Sequence, residues 1–249
     1  MIPCSRRALL AALLLASCTE KAKTSSAGAA ADAPASGAVI HTRPGLIVVL
    51  GSSTSAGTGP KEPKNAWVPR YRAYLQRRFP GVALTNLAVG GYTTYHVQPT
   101  GFAPPAGRPA PVDGKNITAA LALKPNAIIV NLPSNDAAAR VPIAEQLANY
   151  QRVAELASAA HVPLWVSTSQ PRNFDDEAQR LLLTQASAGI ERRFAPSVLD
   201  FWTPFADADG QIKTEFDSGD GTHLNDAAHA ILKSAVVAAL VPEAALPVP

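Results

Sequence analysis

From Leu46 onward the chain alternates between short, continuous apolar runs and longer segments in which apolar residues recur every three or four positions. The runs Leu46-Ile47-Val48-Val49-Leu50 and Ala127 to Leu132 read as strands buried on both faces. Val82 to Leu87, Leu164 to Ser167 and Val198 to Phe201 read as three more. Between them, Trp67 to Phe79 predicts a helix with Trp67, Tyr71, Tyr74 and Leu75 on one side, ended by Pro80-Gly81. Ile143, Leu147, Tyr150, Val153 and Leu156 mark a long amphipathic helix. Asp175 to Phe194 and Asp226 to Leu240 predict two further helices. Strands separated by helices imply right-handed crossovers and a parallel sheet covered on both faces. The expectation is therefore α/β: a three-layer α/β/α sandwich around a five-stranded parallel sheet. Pro99 to Asn116 has no such pattern and contains five prolines. A loop of that length is either functional or a passive surface insertion.

Composition agrees with a folded domain: hydrophobic residues make up 47% and charged residues 16% of 249, unlike a disordered chain. The formal net charge is +3, and no basic stripe with interleaved aromatics appears, so nucleic acid is not an expected partner. Both cysteines, Cys4 and Cys18, lie near the N-terminus. The folded domain is thus expected to lack a disulfide or a thiolate metal site.

The first residues read as an address. Arg6 and Arg7 form a positive region, and Ala8 to Ala16 form an apolar stretch too short to span a bilayer. Leu15-Ala16-Ser17-Cys18 resembles the lipobox of bacterial lipoproteins, in which the leader is cut before the cysteine and the thiol is lipidated. Without Arg6 and Arg7, 20 of the 22 basic residues face 19 acidic ones, a net of about +1. Ser5-Arg6-Arg7 also resembles, faintly, a twin-arginine signal. Residues 19–44, rich in Ala, Ser, Gly and Lys, read as a flexible tether. The expected organisation is a signal peptide over 1–17, a lipidated cysteine and tether over 18–44, and one domain over 45–249. This implies membrane attachment through Cys18 in the bacterial envelope, facing the periplasm or the exterior.

Polar residues gather where predicted strands end, which is where open parallel sheets bind ligands. Gly51-Ser52-Ser53-Thr54-Ser55 follows the first strand, Gly90-Gly91-Tyr92-Thr93-Thr94 the second, and Ser134-Asn135-Asp136 the third. Each alone is compatible with a simple turn. Asp220-Gly221-Thr222-His223 precedes the last helix. A carboxylate three residues before an imidazole on a Gly-containing turn can fold back onto it, fixing its tautomer and stabilising the imidazolium. His41, His96, His161 and His229 have no carboxylate at this spacing and read as structural or solvated. No Walker, G-x-G-x-x-G or G-x-S-x-G signature occurs.

The order of these motifs after strands one, two, three and five resembles the SGNH (GDSL-like) hydrolase family over about residues 46–240. That resemblance implies a flavodoxin-like sheet and a cofactor-free serine esterase. It makes Ser53 the nucleophile, His223 the base and Asp220 its orienting acid. Ser53, Gly91 and Asn135 become the oxyanion donors, and no metal is implied. Two positions depart from the family pattern: Ser52 stands where an aspartate is usual, and Ser134 where a glycine is usual. The implied substrates are small-molecule, glycan or lysolipid esters, with acyl-chain length and oligomeric state left open. The alternative reading is a catalytically silent binding lipoprotein on the same fold.

Overall fold

The computed structural model describes residues 45–132 and 134–239. The leader, Cys18 and the tether lie outside the described residues. Five strands, β1 (Gly45–Gly51), β2 (Val82–Asn86), β3 (Ala127–Asn131), β4 (Leu164–Ser167) and β5 (Val198–Leu199), form one sheet in the order β2-β1-β3-β4-β5. Every pairing is parallel. This is the flavodoxin-like strand order, with its switch point between β1 and β3.

Strand β1, paired on both edges, shows why the fold is three-layered. Ile47, Val48, Val49 and Leu50 are all fully buried, each worth about 2 kcal/mol of apolar transfer. Strand periodicity sends alternate residues to opposite faces. Ile47 and Val49 pack with Trp67, Tyr71 and Leu75 of α2 (Trp67–Arg78) and with Leu232 and Val236 of α7 (Asp226–Ala238). Val48 and Leu50 pack with Ile117 of α3 (Ile117–Ala122), Tyr150 and Val153 of α5 (Ile143–Ala159), and Ile190 of α6 (Glu177–Phe194). Two one-turn helices, α1 (Ser53–Ala56) and α4 (Asn135–Ala138), start where β1 and β3 leave the sheet.

The long helices lie where the hydrophobic periodicity puts them, and the differences are local. Strand five was expected to reach Phe201 but stops at Leu199. There the Asp200 carboxylate accepts from the N–H groups of Trp202 and Thr203 and turns the chain away. The long loop is tied down at several points. Val112 N donates to His96 O at 3.0 Å, and Ile117 N to Val97 O at 3.0 Å. Arg108 makes a bidentate pair with Glu145 of α5 at 2.8 and 3.1 Å. The same Glu145 accepts from Tyr95 Oη. The Arg152 guanidinium lies 4.5 Å from the centroid of Phe102. These contacts fix the loop against α5 and the segment after β2.

His229, on α7, is fully buried. Ala66 precedes α2 without offering a side-chain cap. Instead, His229 Nδ1 accepts from the Trp67 N–H at 3.0 Å, so a histidine from one helix caps another. That role needs a neutral ring, and burial pushes the His229 pKa down to about 4. An unfolded histidine titrates near 6.5. Between those values the unfolded chain takes a proton that the folded chain refuses, so His229 withdraws stability as pH falls from about 6.5 toward 4. His229→Gln keeps an acceptor for Trp67 but does not titrate. Denaturant unfolding at pH 7 and 4.5 is expected to show the native protein losing about 2 kcal/mol more than this variant. Equal losses would rule out the neutral-cap role.

Candidate active site

The site is built from residues that leave the carboxyl ends of β1, β2 and β3, together with the turn before α7. Gly51 lets β1 approach β3: a Cβ there would lie 2.7 Å from Asn131 O. Ser52 N donates to that same carbonyl at 3.1 Å. The chain then turns into α1, with Ser53 as its first residue and Ser52 as its cap. The following loop passes so close to the last turn that a Cβ at Gly59 would lie 2.1 Å from Leu224 O and 3.1 Å from His223 Cβ. Glycine, with its φ of +114°, is what permits that approach.

Ser53 Oγ lies 3.0 Å from His223 Nε2, and His223 Nδ1 lies 2.6 Å from Asp220 Oδ2. The residues joined by the first contact are 170 positions apart in the chain. The second comes from the expected fold-back, with Asp220 Oδ1 also accepting from the N–H groups of Thr222 (2.9 Å) and His223 (2.8 Å). Burial would raise the Asp220 pKa. The bonds from His223 and Thr222, with the charge the ring carries when protonated, outweigh it and hold the carboxyl well below the ordinary carboxylate range. An ionised Asp220 requires Nδ1 to carry the ring proton, leaving Nε2 to accept from Ser53. Asp217 shapes the turn by accepting from Gly219 N and Gly221 N at 2.8 and 3.1 Å.

The three residues read as oxyanion donors, Ser53, Gly91 and Asn135, are held in different ways. Asn135, at the start of α4, donates through Nδ2 to Ser52 Oγ and to Tyr92 O, both at 2.9 Å. Ser53 N donates to Ser52 Oγ at 2.6 Å. A single hydroxyl oxygen, that of Ser52, thus accepts from both groups. Gly91 is exposed, with a φ of +82° and open space where a Cβ would be. Its neighbour Gly90 runs past the nucleophile, since a Cβ there would lie 3.9 Å from Ser53 Cβ.

The Gly91 segment is anchored from below. Buried Asp136 accepts from Thr94 N and Thr94 Oγ1 at 2.9 and 2.6 Å. Thr94 Oγ1 in turn accepts from Asn149 Nδ2, and Gln98 Nε2 donates to Thr94 O. Burial lifts the Asp136 pKa to about 6, against the bonds from Thr94. Tyr92 stacks on His96 with ring centroids 4.6 Å apart. Ser55, another serine after the first strand, is buried and donates to Asn131 Oδ1 at 2.7 Å.

The sequence motifs include Ser52 and Thr94, and Ser52 as a departure from the family pattern, but not the roles found here: Ser52 Oγ as the acceptor for Ser53 N and Asn135, and Thr94 as the donor to Asp136. Their signal was weak: small polar residues beside strand ends, with no partner in view. The arrangement can lower the barrier to serine attack, because the imidazole is oriented and the hydroxyl lies within hydrogen-bond distance of it. Among the described residues no group of three or more His, Cys, Asp or Glu side chains could hold a metal ion. No described helix is long and apolar enough to cross a membrane.

Residues 49–231 match the model of the GDSL-like Lipase/Acylhydrolase family. Among solved structures, the chain is similar to the psychrotrophic esterase EstA from Pseudoalteromonas sp. at 17% identity and a TM-score of 0.55, covering 78% of this chain and 96% of that one. The lipase Lip_vut3 from a goat rumen metagenome aligns at 15% identity and a TM-score of 0.60, covering 79% and 98%. A two-domain esterase active on acetylated mannans aligns at 15% identity and a TM-score of 0.52, covering 82% of this chain and 50% of that one. At these identities the likenesses speak for the fold. No curated protein matches the chain significantly in sequence.

Proposed function

The chain belongs to the GDSL-like lipase/acylhydrolase family and is a carboxylic ester hydrolase, and from that premise we propose that it works through an acyl-enzyme formed on Ser53. The observation that carries this reading is the relay Ser53 Oγ to His223 Nε2 (3.0 Å) and His223 Nδ1 to Asp220 Oδ2 (2.6 Å). Ser53 Oγ attacks the ester carbonyl as His223 takes its proton. The carbon–oxygen bond to the alcohol then breaks, and His223 returns the proton to the leaving alkoxide. Water, deprotonated by the same imidazole, attacks the acyl carbon; the bond to Ser53 Oγ breaks, His223 returns the proton to that oxygen, and the acid is freed. Asp220 stays ionised and holds the ring throughout.

The tetrahedral oxygen draws on Ser53 N, Gly91 N and the Asn135 amide. In the resting site Ser52 Oγ and Tyr92 O satisfy two of these donors. A full negative charge is a stronger acceptor than a hydroxyl or a carbonyl, and competes for them as it develops. Acyl or acetyl esters of small molecules, glycans or lysolipids are the substrate class of this reading. The activity of a structurally similar esterase on acetylated mannans makes O-acetyl glycans the first to try. The leader sequence supports a lipid anchor at Cys18 and work at the bacterial envelope.

Three outcomes follow. Ser53→Ala is expected to abolish hydrolysis of 4-nitrophenyl acetate while leaving the thermal unfolding transition in place; full activity in the folded variant would remove Ser53 from the mechanism. Asn135→Ala is expected to lower kcat about 100- to 1000-fold with a much smaller change in KM. A kcat within about threefold of the native protein, with a lowered Tm, would make the side chain a structural brace instead. Cys18→Ser is expected to leave protein made in its native cells in the aqueous phase of a detergent partition. The anchor is refuted if the native protein carries no lipid mass on Cys18.

A further inference from the structure

The end of β4 contributes no group to the relay, yet it carries a side chain bonded to both of its halves. Gln170, three residues beyond β4, is 1% exposed. Its Oε1 accepts from Thr54 Oγ1 at 2.7 Å, and its Nε2 donates to the Thr222 carbonyl at 3.1 Å. A backbone carbonyl can only accept, so the amide must turn Nε2 toward Thr222. Its oxygen then faces Thr54, whose hydroxyl must donate. Thr54 follows Ser53 in α1, and Thr222 precedes His223 in the turn. One buried amide therefore joins the residue beside the proposed nucleophile to the residue beside the proposed base.

We infer that Gln170 is a positioning residue for ester cleavage, setting the spacing between α1 and the 220–223 turn and with it the Ser53–His223 hydrogen bond; this rests on the roles given to Ser53 and His223. Other restraints hold each half separately. α1 is tied to the sheet by Ser55 Oγ donating to Asn131 Oδ1 and by Asn86 Nδ2 donating to Ser55 O. The turn is tied to the loop after β4 by Asn173 N donating to Gly221 O at 2.8 Å. Apart from the Ser53–His223 contact itself, Gln170 is the one side chain among the described residues that hydrogen-bonds to both. Steric contact at Gly59 limits how close the halves come, and Gln170 limits how far apart they drift. Without the bridge the hydroxyl and the imidazole keep their identities and lose their alignment, which at about 1 Å of misplacement costs on the order of 100-fold in rate.

Three substitutions in the full chain test this. Gln170→Met keeps the length and loses both bonds. Gln170→Glu keeps an acceptor for Thr54 and sets an oxygen against the Thr222 carbonyl. Thr54→Val cuts the bridge from its other end with the buried amide left in place. Hydrolysis of 4-nitrophenyl acetate, the rate of covalent inactivation by a fluorophosphonate, and Tm are measured on each. Each variant is expected to lose about 10- to 100-fold in kcat and a similar factor in inactivation rate, with KM within about threefold. The Thr54→Val, Gln170→Met double variant is expected to fall no further than the worse single one. A purely structural glutamine would lower Tm and spare the inactivation rate. The inference is overturned by a folded Gln170→Met or Thr54→Val whose kcat and inactivation rate stay within about twofold of the native protein, or by losses that multiply in the double variant. Should Gln170→Met not fold, Thr54→Val decides the matter alone. Fluorophosphonate on a residue other than Ser53 overturns the nucleophile assignment and this inference together. Labelling of native Ser53 with full rates in the variants overturns this inference only.

Discussion

A hydroxyl and an imidazole that lie 170 residues apart in the chain meet at 3.0 Å. A hydrogen bond tolerates only a few tenths of an ångström before it weakens, so the parts of the fold that carry the two groups must not shift against each other. The parallel sheet meets half of that demand. β1 lies between β2 and β3, fully buried from Ile47 to Leu50, and delivers Ser53 from a strand held on both edges. The turn bearing His223 belongs to no strand. It is held instead by the Asp217 carboxylate, by Asn173, by Gln170 and by the close passage at Gly59.

How much of this was legible in the sequence depended on the range of the interaction. Continuous apolar runs and helical periodicity record which faces are buried, and they gave all five strands and the four long helices. The Asp220–His223 contact was legible because it closes over three residues. What joins distant segments left little trace. Gln170 and Thr54 are ordinary polar residues whose partners lie 52 and 116 positions away. His229 looked like a solvated or structural histidine because the helix end it caps is 162 residues earlier. The early end of β5 came from a carboxylate capping two amides, a local device that an apolar run conceals.

Two buried titratable groups act in opposite directions as the solution is acidified. Asp136 has a folded pKa near 6, above the ordinary value of 3.8. Its ionisation opposes folding above that pH, and the penalty is relieved as pH falls from about 6 to 4. His229 withdraws stability across nearly the same interval. The two therefore pull against each other across this range. Asp136 sits where a carboxylate is costly, yet through Thr94 it fixes the segment that carries Gly91.

The relay is also notably open. The His223 side chain is 17% exposed and that of Asp220 is 51% exposed, while the loop over 99–116 is clamped to α5 by Arg108 and Glu145. On the proposed mechanism, an acyl group carried on Ser53 is therefore reachable by solvent from the side of Asp220 and His223. Its fate is a competition between acceptors, and water, by sheer abundance, wins over any dissolved alcohol that the surface does not bind. On the proposed mechanism this openness favours water over a dissolved alcohol as the second acceptor, and an acyltransferase variant would need a cover over the site as well as new groups within it.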